Sequence, residues 1–240
     1  MKVILPNCRI QFTAEDIDFI AATLRRSGSS SGADCLIGLL ADAESRDLIL
    51  DDEQLFHALL EHRGCLSVSS HFYFYVMVRH VFRRAGIDDR EMADYVAEVL
   101  TEYSLQERTR LQIPGQPNSL EYFFELMTAL QTADDRTGFS IRAHIGNHSL
   151  FLTGVFPQRI LHRAEKRGFP NLSYYEELGR ANFRVASDHR LAARYELGPI
   201  FSQLSERFHD TRLALNDISE RLFSIGEPDY SLLLHNHLSN

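Results

Sequence analysis

The sequence predicts an all-α fold, a multi-helix bundle of about nine or ten helices around a central, aromatic-rich helix. Three observations support this prediction. Apolar residues recur at spacings of three and four along most of the chain, and polar capping residues precede several of these stretches. The run from Val68 to Phe82 is almost continuously apolar, and its length favours a helix buried in the centre.

Composition places the chain among ordinary globular proteins. It has 240 residues, of which 44% are hydrophobic and 24% are charged, so a packed core is expected. We predict a single helical domain over residues 1–240. Residues 104–118 contain Pro114, Gly115 and Pro117 and lack helical periodicity, which makes them the candidate boundary between two lobes.

Charge and cysteine content argue against several classes of partner and compartment. The net charge is -8, and an acidic surface repels both phosphate backbones and anionic lipid, so neither a nucleic acid nor a membrane is predicted as partner. The three cysteines lack CxxC spacing, and the chain does not begin with a basic segment followed by an apolar one. These features predict a cytoplasmic protein.

The first part of the chain predicts an arm followed by short helices. Residues 2–12 are expected to form an extended arm that docks on the body, because Pro6 interrupts a regular ladder or helix. Thr13 and Asp16 form an N-cap arrangement for the first helix, which Gly28 ends. Two further helices are predicted, one around Leu36 to Leu40 and one from Asp51 to Gly64.

The central element is predicted over Val68 to Phe82. Its β-branched and aromatic residues would also permit a strand. We favour a helix, because Ser70 can cap it, Arg83 and Arg84 suit the C-terminal end of a helix dipole, and Gly86 can adopt the left-handed conformation that stops a helix.

Further helices are predicted in the second half of the chain. The next helix starts at Asp88 or Asp89, and another starts at Ser119 with Tyr122, Phe123, Leu126, Met127 and Leu130 on its buried side. The remaining predicted helices cover 138–156, 158–167, 173–187 and 188–223, the last kinked at Pro199. The segment after Gly226, with Leu232, Leu233 and Leu234, is apolar enough that we expect it to pack back on the body.

His144 and His148 are the candidate metal ligands. On a helix, a separation of four residues places both imidazoles on one face about one turn apart, which suits two ligands of a zinc or iron centre. The alternative, which we favour, is a pair of partly buried histidines that bond to their neighbours. The sequence contains no HExxH motif that would supply further ligands nearby.

His71, Tyr73, Tyr75 and His80 are the candidate ligand-binding residues of the central helix. An inward histidine in such an apolar helix could serve as an axial ligand of a haem or carry a proton. His71 and His80 are nine positions apart, roughly 13 Å along a helix, so they cannot share one ion. Histidines that are simply satisfied within the core are the favoured alternative.

Two pairs of glutamates also have helical spacing. Glu98 and Glu102, like Glu121 and Glu125, lie one turn apart, and paired carboxylates can divide acid and base roles when burial separates their pKa values. We favour the simpler interpretation that both pairs belong to solvated helix faces.

Four arginines form the candidate partner surface: Arg180, Arg184, Arg190 and Arg194. Arg180 shares a helix face with Arg184, as does Arg190 with Arg194. These faces could bind an acidic protein or a phosphate-bearing ligand. Interspersed glutamates such as Glu176 and Glu177 favour the alternative, an exposed face held by ion pairs four residues apart.

No catalytic motif occurs in the sequence: GxSxG, a glycine-rich phosphate loop and a Walker lysine are all absent. The first functional hypothesis is therefore an interaction or regulatory protein that presents a helical groove to a protein partner, with a homodimer formed through a helix face as one arrangement. The alternative is a protein that binds a metal, a haem or a lipophilic ligand between the central helix and His144 and His148, which would include an oxidative enzyme.

Overall fold

The computed structural model describes residues 3–24, 32–61, 67–104, 110–113, 119–120 and 122–225. Over these ranges the chain is all-α and contains no strand, as predicted. A short 3-10 helix covers Cys8–Ile10. The α-helices are α1 (Ala14–Leu24), α2 (Gly32–Ala41), α3 (Ala43–Leu50), α4 (Glu53–Glu61), α5 (Ser70–Arg84), α6 (Arg90–Ser104), α7 (Phe123–Leu130), α8 (Asp135–Val155), α9 (Pro157–Arg167), α10 (Leu172–Ser187), α11 (Arg190–Arg194), α12 (Gly198–Glu206) and α13 (Phe208–Ile225).

The described residues form thirteen helices, more than the nine or ten predicted. The single long helix predicted over 188–223 is wrong, because this stretch forms α11, α12 and α13. Glu196 adopts a left-handed backbone conformation with φ 57°, which ends α11. Pro199 then stands in the first turn of α12, where a missing backbone donor costs nothing, and it does not kink a continuous helix.

Three helices form the centre of the molecule. The predicted central helix is confirmed as α5, although Ser69 caps it in place of Ser70: the Ser69 hydroxyl accepts a hydrogen bond from the Phe72 amide at 3.1 Å. Ser70–Arg84 is helical, so the alternative of a strand is wrong, and most of α5 is buried. Every residue of α6 from Met92 to Tyr103 is also buried, as is most of α8. The buried centre of the molecule is therefore formed by α5, α6 and α8 together.

The described part of the N-terminal arm docks on the body, as predicted. The backbone amide of Cys8 donates a hydrogen bond to Asp94 of α6 at 2.7 Å, and Cys8 itself is fully buried. The guanidinium of Arg9 binds Asp94 at 2.9 Å and Asp47 of α3 at 3.2 Å. These contacts fasten the arm across the acidic side of α6.

The region between α6 and α7 bears on the predicted lobe boundary at 104–118. Residues 105–109 and 114–118 lie outside the described residues, so the division into lobes stays a prediction. Leu111 and Leu120 pair through an isolated antiparallel bridge. The predicted helix start at Ser119 is wrong, because α7 begins at Phe123. Tyr122 is its N-cap residue, and the backbone amide of Tyr122 donates a hydrogen bond to the Glu125 side chain at 3.1 Å.

The directions of α8, α10 and α13 bring several helix ends together. In α13, Asn216 donates to the Thr153 carbonyl at 2.9 Å and Ser219 to the Val155 carbonyl at 2.7 Å, so α13 runs parallel to α8. Gly179 of α10 lies beside Ser149 of α8, and Phe183 lies beside Gly146, so α10 runs opposite to α8. The end of α8, the start of α10 and the end of α13 therefore lie at one end of the bundle, where α9 connects α8 to α10; this end is called here the α9 end.

None of the described helices combines the length and the apolar character that crossing a membrane requires.

Candidate functional site

His144 and His148 lie on one face of α8, as their spacing predicts. Both side chains are buried, and their ring centroids are 5.7 Å apart. The hydroxyl of Tyr103 lies 3.0 Å from Nδ1 of His144, and the ring of Phe123 stacks on His148 at 4.9 Å. The two imidazoles thus sit between α6 and α7 in largely aromatic surroundings.

A metal centre needs further ligands beside this pair. Within the ranges that the structure describes, no group of three or more His, Cys, Asp or Glu side chains is arranged to hold a metal ion. The described residues therefore supply at most two ligands around His144 and His148, and a zinc or iron site there stays a prediction.

Glu98 and Glu102 correct the prediction of a solvated helix face. They are only 4% and 6% exposed, because α6 is covered on all sides. The thiol of Cys8 donates a hydrogen bond to Glu98 Oε2 at 3.2 Å, and His71 Nε2 lies 3.5 Å from the same oxygen. Glu121, one half of the second pair, lies outside the described residues.

Cys8 is not an activated nucleophile in this setting. Burial, together with the negative charges of Glu98 and Asp94, raises the pKa of the Cys8 thiol far above its usual range. A reactive cysteine requires the opposite shift, since the thiolate is the nucleophile. The contact between Cys8 and Glu98 therefore fastens the N-terminal arm and does not prepare a thiolate for chemistry.

The four candidate residues of α5 do not converge on one point. Tyr73 and Tyr75 are buried, and the hydroxyl of Tyr75 has no hydrogen-bond partner among the described residues. His71 is partly exposed beside Glu98 at the start of the helix, whereas His80 stacks on Phe56 near its other end, with ring centroids 3.5 Å apart. Burial, together with the charge of Arg84, lowers the pKa of His80 to about 4, so His80 is neutral at physiological pH.

A shallow depression borders His80 between the end of α3 and α5. Asp51, Phe56, Arg79 and Arg83 are among the residues that line it. It leaves no room for a water-sized molecule, so it offers no ligand site.

The four arginines of the candidate partner surface are largely engaged with neighbours. Arg180 forms an ion pair with Glu177 at 2.9 Å, and Arg190 binds Asp135 through Nε at 2.9 Å. Arg194 lies 5.9 Å from the ring centroid of Tyr195, and Arg184 is exposed on α10. The pairs of Arg180 and Arg190 agree with the alternative of an ion-paired face, though neither partner is four residues away.

Exposed apolar side chains occur on α7, on α9 and at the start of α10. The predicted buried side of α7 is wrong at Tyr122 and Met127, which are 59% and 40% exposed, while Leu126 is fully buried. Phe124 is 69% exposed, and its ring stacks on that of Tyr122 at 5.8 Å. We call the following set the aromatic surface: Tyr122, which caps α7, Phe124 and Met127 of α7, Leu161 of α9, Phe169, and Tyr174 of α10.

Partly buried rings connect the parts of the aromatic surface. Phe123 of α7 packs on Tyr175 of α10 at 5.4 Å, and Tyr175 packs on Tyr174 at the same separation. Burial and Tyr174 raise the pKa of Tyr175, and the positive charge of Arg163 on α9 opposes this rise. These ring contacts thus join α7 to the start of α10, and α9 packs against α10.

Positive charge is concentrated on α9, which packs against α10. Arg159, Arg163 and Lys166 all lie on α9, where the acidic residue Glu165 stands among them. We call these three cations the basic rim. The aromatic surface was not predicted from the sequence; the signal was that α7 carries more apolar residues than one buried face can use.

No protein-family model, no curated protein and no solved structure matches this chain. Its function is therefore inferred from its own residues.

Proposed function

We propose that this protein is an interaction protein that binds an acidic, apolar polypeptide segment through the aromatic surface and the basic rim. The observation that carries the proposal is the exposure of Phe124 and Tyr122 as a stacked pair, within a set of six exposed apolar side chains. Monomeric proteins rarely expose large contiguous apolar patches, and such patches commonly mark binding surfaces.

The residue types of this region suit a protein interface. Tyr, Phe, Met and Arg are the residues most enriched in interfaces, since aromatic rings bury a large area at a small cost in side-chain entropy. Phe124 and Tyr174 provide the aromatic part, Met127 can adapt its shape to a partner, and the positive charge of Arg163 acts on Tyr175, which packs on Tyr174.

The charge of the region selects the chemistry of the partner. The whole chain has a net charge of -8, so most of its surface repels acidic molecules. The basic rim is a local exception on α9. A partner that places carboxylates next to apolar side chains would satisfy both features, because complementary charge adds specificity to apolar burial.

A labelled peptide tests the proposal. The probe is an amphipathic peptide with leucine on one helical face and glutamate on the other, and its binding to the full chain is measured by fluorescence anisotropy. The double variant Phe124→Ser/Tyr174→Ser should weaken binding at least about tenfold, a loss of roughly 1.4 kcal/mol. Leu48→Ser is the matched control, because Leu48 is 70% exposed on α3, outside this region.

Two results would count against the proposal: the wild-type chain fails to bind the glutamate peptide, or the double variant binds it as well as the control does. Arg180→Glu/Arg184→Glu tests the arginine surface in the same assay. If this reversal alone abolishes binding, the partner surface lies on the second half of α10 and not on α7 and α9.

The buried polar groups favour a second candidate function, ligand or metal binding between α6 and α8. Tyr103, His144 and His148 are buried where α6 meets α8, and ionisable groups are costly to bury without a role. Elemental analysis and an ultraviolet-visible spectrum of the purified protein test it. Zinc, iron or a chromophore near one equivalent, lost in His144→Ala/His148→Ala, would support this function.

A further inference from the structure

We propose that residues 226–240 of this chain are themselves a ligand of the aromatic surface and occupy it when no other partner is bound. This inference rests on the proposed function. These residues lie outside the described ones, so the inference uses their sequence and the point at which α13 ends. The segment combines Tyr230 and the run Leu232 to Leu234 with Glu227 and Asp229, and it contains no Lys or Arg.

Residues 226–240 follow α13, and α13 ends at the α9 end of the bundle. Ser219 of α13 donates a hydrogen bond to the carbonyl of Val155 at 2.7 Å, and α9 begins two residues later, at Pro157. From Ser219 to Ile225 the helix advances by about 9 Å. The described part of α13 therefore ends at Ile225, about 9 Å beyond the level at which α8 gives way to α9.

The segment is long enough to reach the aromatic surface. Fifteen residues span up to about 50 Å when extended, whereas a helix of the length of α9 measures about 16 Å. A tethered ligand also has an effective concentration on the order of millimolar, so weak intrinsic affinity suffices for occupancy. Another partner would have to displace the segment before it could bind.

The sequence of residues 226–240 complements the aromatic surface and the basic rim in charge and in apolar character. Glu227 and Asp229 can face the basic rim on α9, while the leucine run covers exposed rings such as Phe124 and Tyr174. An uncovered leucine run and an uncovered aromatic surface would each expose apolar area to water, and their contact removes both.

Hydroxyl-radical footprinting of the full chain tests the contact. Mass spectrometry measures the oxidation rates of Phe124, Met127 and Tyr174 in the wild type and in Leu232→Ser/Leu233→Ser/Leu234→Ser. We expect these rates to rise severalfold in the variant, while the rates of exposed Leu48 and Val185 stay the same. Glu227→Lys/Asp229→Lys should produce a smaller rise, because it removes the charge complementarity and leaves the leucines.

Equal oxidation rates in the wild type and both variants would overturn the inference. Protection that appears only at concentrations where sedimentation shows a dimer would also overturn it, since a second copy would then cover the surface. The labelled glutamate peptide separates this failure from a failure of the proposed function. If the peptide binds the wild type and the triple variant equally, only the occupancy by residues 226–240 is wrong; if it binds neither, the proposed function fails as well.

Discussion

The hydroxyl of Tyr103 lies 3.0 Å from Nδ1 of His144, and this contact joins the end of α6 to the middle of α8. Both side chains are buried, and the edge of the Tyr103 ring also meets the ring of His148. Two helices that are distant in sequence are thus linked at the place where the second candidate function would operate.

Tyr103→Phe should lower the free energy of unfolding by about 1 to 3 kcal/mol, because it removes the buried hydrogen bond between the Tyr103 hydroxyl and Nδ1 of His144. Urea denaturation followed by far-ultraviolet circular dichroism measures the change. Tyr195→Phe serves as control on the partly exposed Tyr195. Equal stability of Tyr103→Phe and the wild type would show that the contact contributes nothing to folding.

Gly179 allows α10 to approach its neighbours closely. A Cβ at this position would overlap the ring of Phe208 and lie 2.9 Å from the Cβ of Ser149. Gly179→Ala should therefore destabilise the protein by about 1 to 3 kcal/mol through overpacking. Gly138→Ala is the matched comparison, because its Cβ would meet only Leu130, at an ordinary 3.8 Å.

Gly138→Ala in α8 is expected to raise the free energy of unfolding by about 0.5 to 1 kcal/mol, since alanine loses less backbone entropy in a helix than glycine does. Thermal and urea denaturation of both variants measure the two effects. Destabilisation of similar size in both would mean that the close approach at Gly179 is not the cause.

Arg79 is buried and binds two carboxylates. Its guanidinium lies 2.7 Å from Asp51 and 2.5 Å from Asp88, and Arg90 binds Asp51 as well. Asp51→Asn should lower the free energy of unfolding by about 3 to 5 kcal/mol at neutral pH, because it leaves the buried guanidinium short of a counter-charge. Arg79→Met/Asp51→Leu should cost less, since it removes both charges together.

The same pair predicts a dependence on acid. Burial raises the pKa of Asp51, but hydrogen bonds from Arg79 and Arg90 outweigh it, so the pKa lies below its usual range. The stabilisation is therefore complete above the pKa of an unfolded aspartate, about 3.9, and is lost as the pH falls through the lower pKa of the folded state. Urea titrations across this range should show a weaker acid dependence for Asp51→Asn than for the wild type, and equal acid dependence of the two would contradict the prediction.

His80 should titrate at an unusually low pH. Its pKa in the folded protein is about 4, because burial and the charge of Arg84 disfavour the imidazolium. The unfolded chain takes up this proton near pH 6.5, so the contribution of neutral His80 to stability is complete above about pH 6.5 and declines as the pH falls toward 4. Nuclear magnetic resonance of the Hε1 proton, assigned by its absence in His80→Gln, measures the midpoint. A midpoint near 6.5 would show that the ring is solvated and not shielded by Phe56.

The helices were largely predictable because their signals are local. The apolar run that became α5, the stop at Gly86, and the helix boundaries near Val155 and Ser187 all follow from spacing and capping residues within a few turns. The break between α11 and α12 was not predictable from the sequence. A single residue with a left-handed backbone conformation, Glu196, interrupts a stretch whose side chains otherwise have helical periodicity.

The candidate site was only partly predictable. The shared face of His144 and His148 followed from their spacing, but the partners Tyr103 and Phe123 come from other helices, and no sequence spacing relates them. The aromatic surface was missed for the same reason. Helical periodicity identifies the apolar sides of α7, but it does not say how many of those sides a neighbour covers.

By itself, the sequence determined the all-α class, the central position of the apolar stretch in α5 and the net charge of -8. These properties depend on composition and on contacts within a helix. Only the tertiary structure decided that Glu98 and Glu102 are buried while Phe124 is exposed. Burial depends on which helices pack together, and residues far apart in the chain determine that packing.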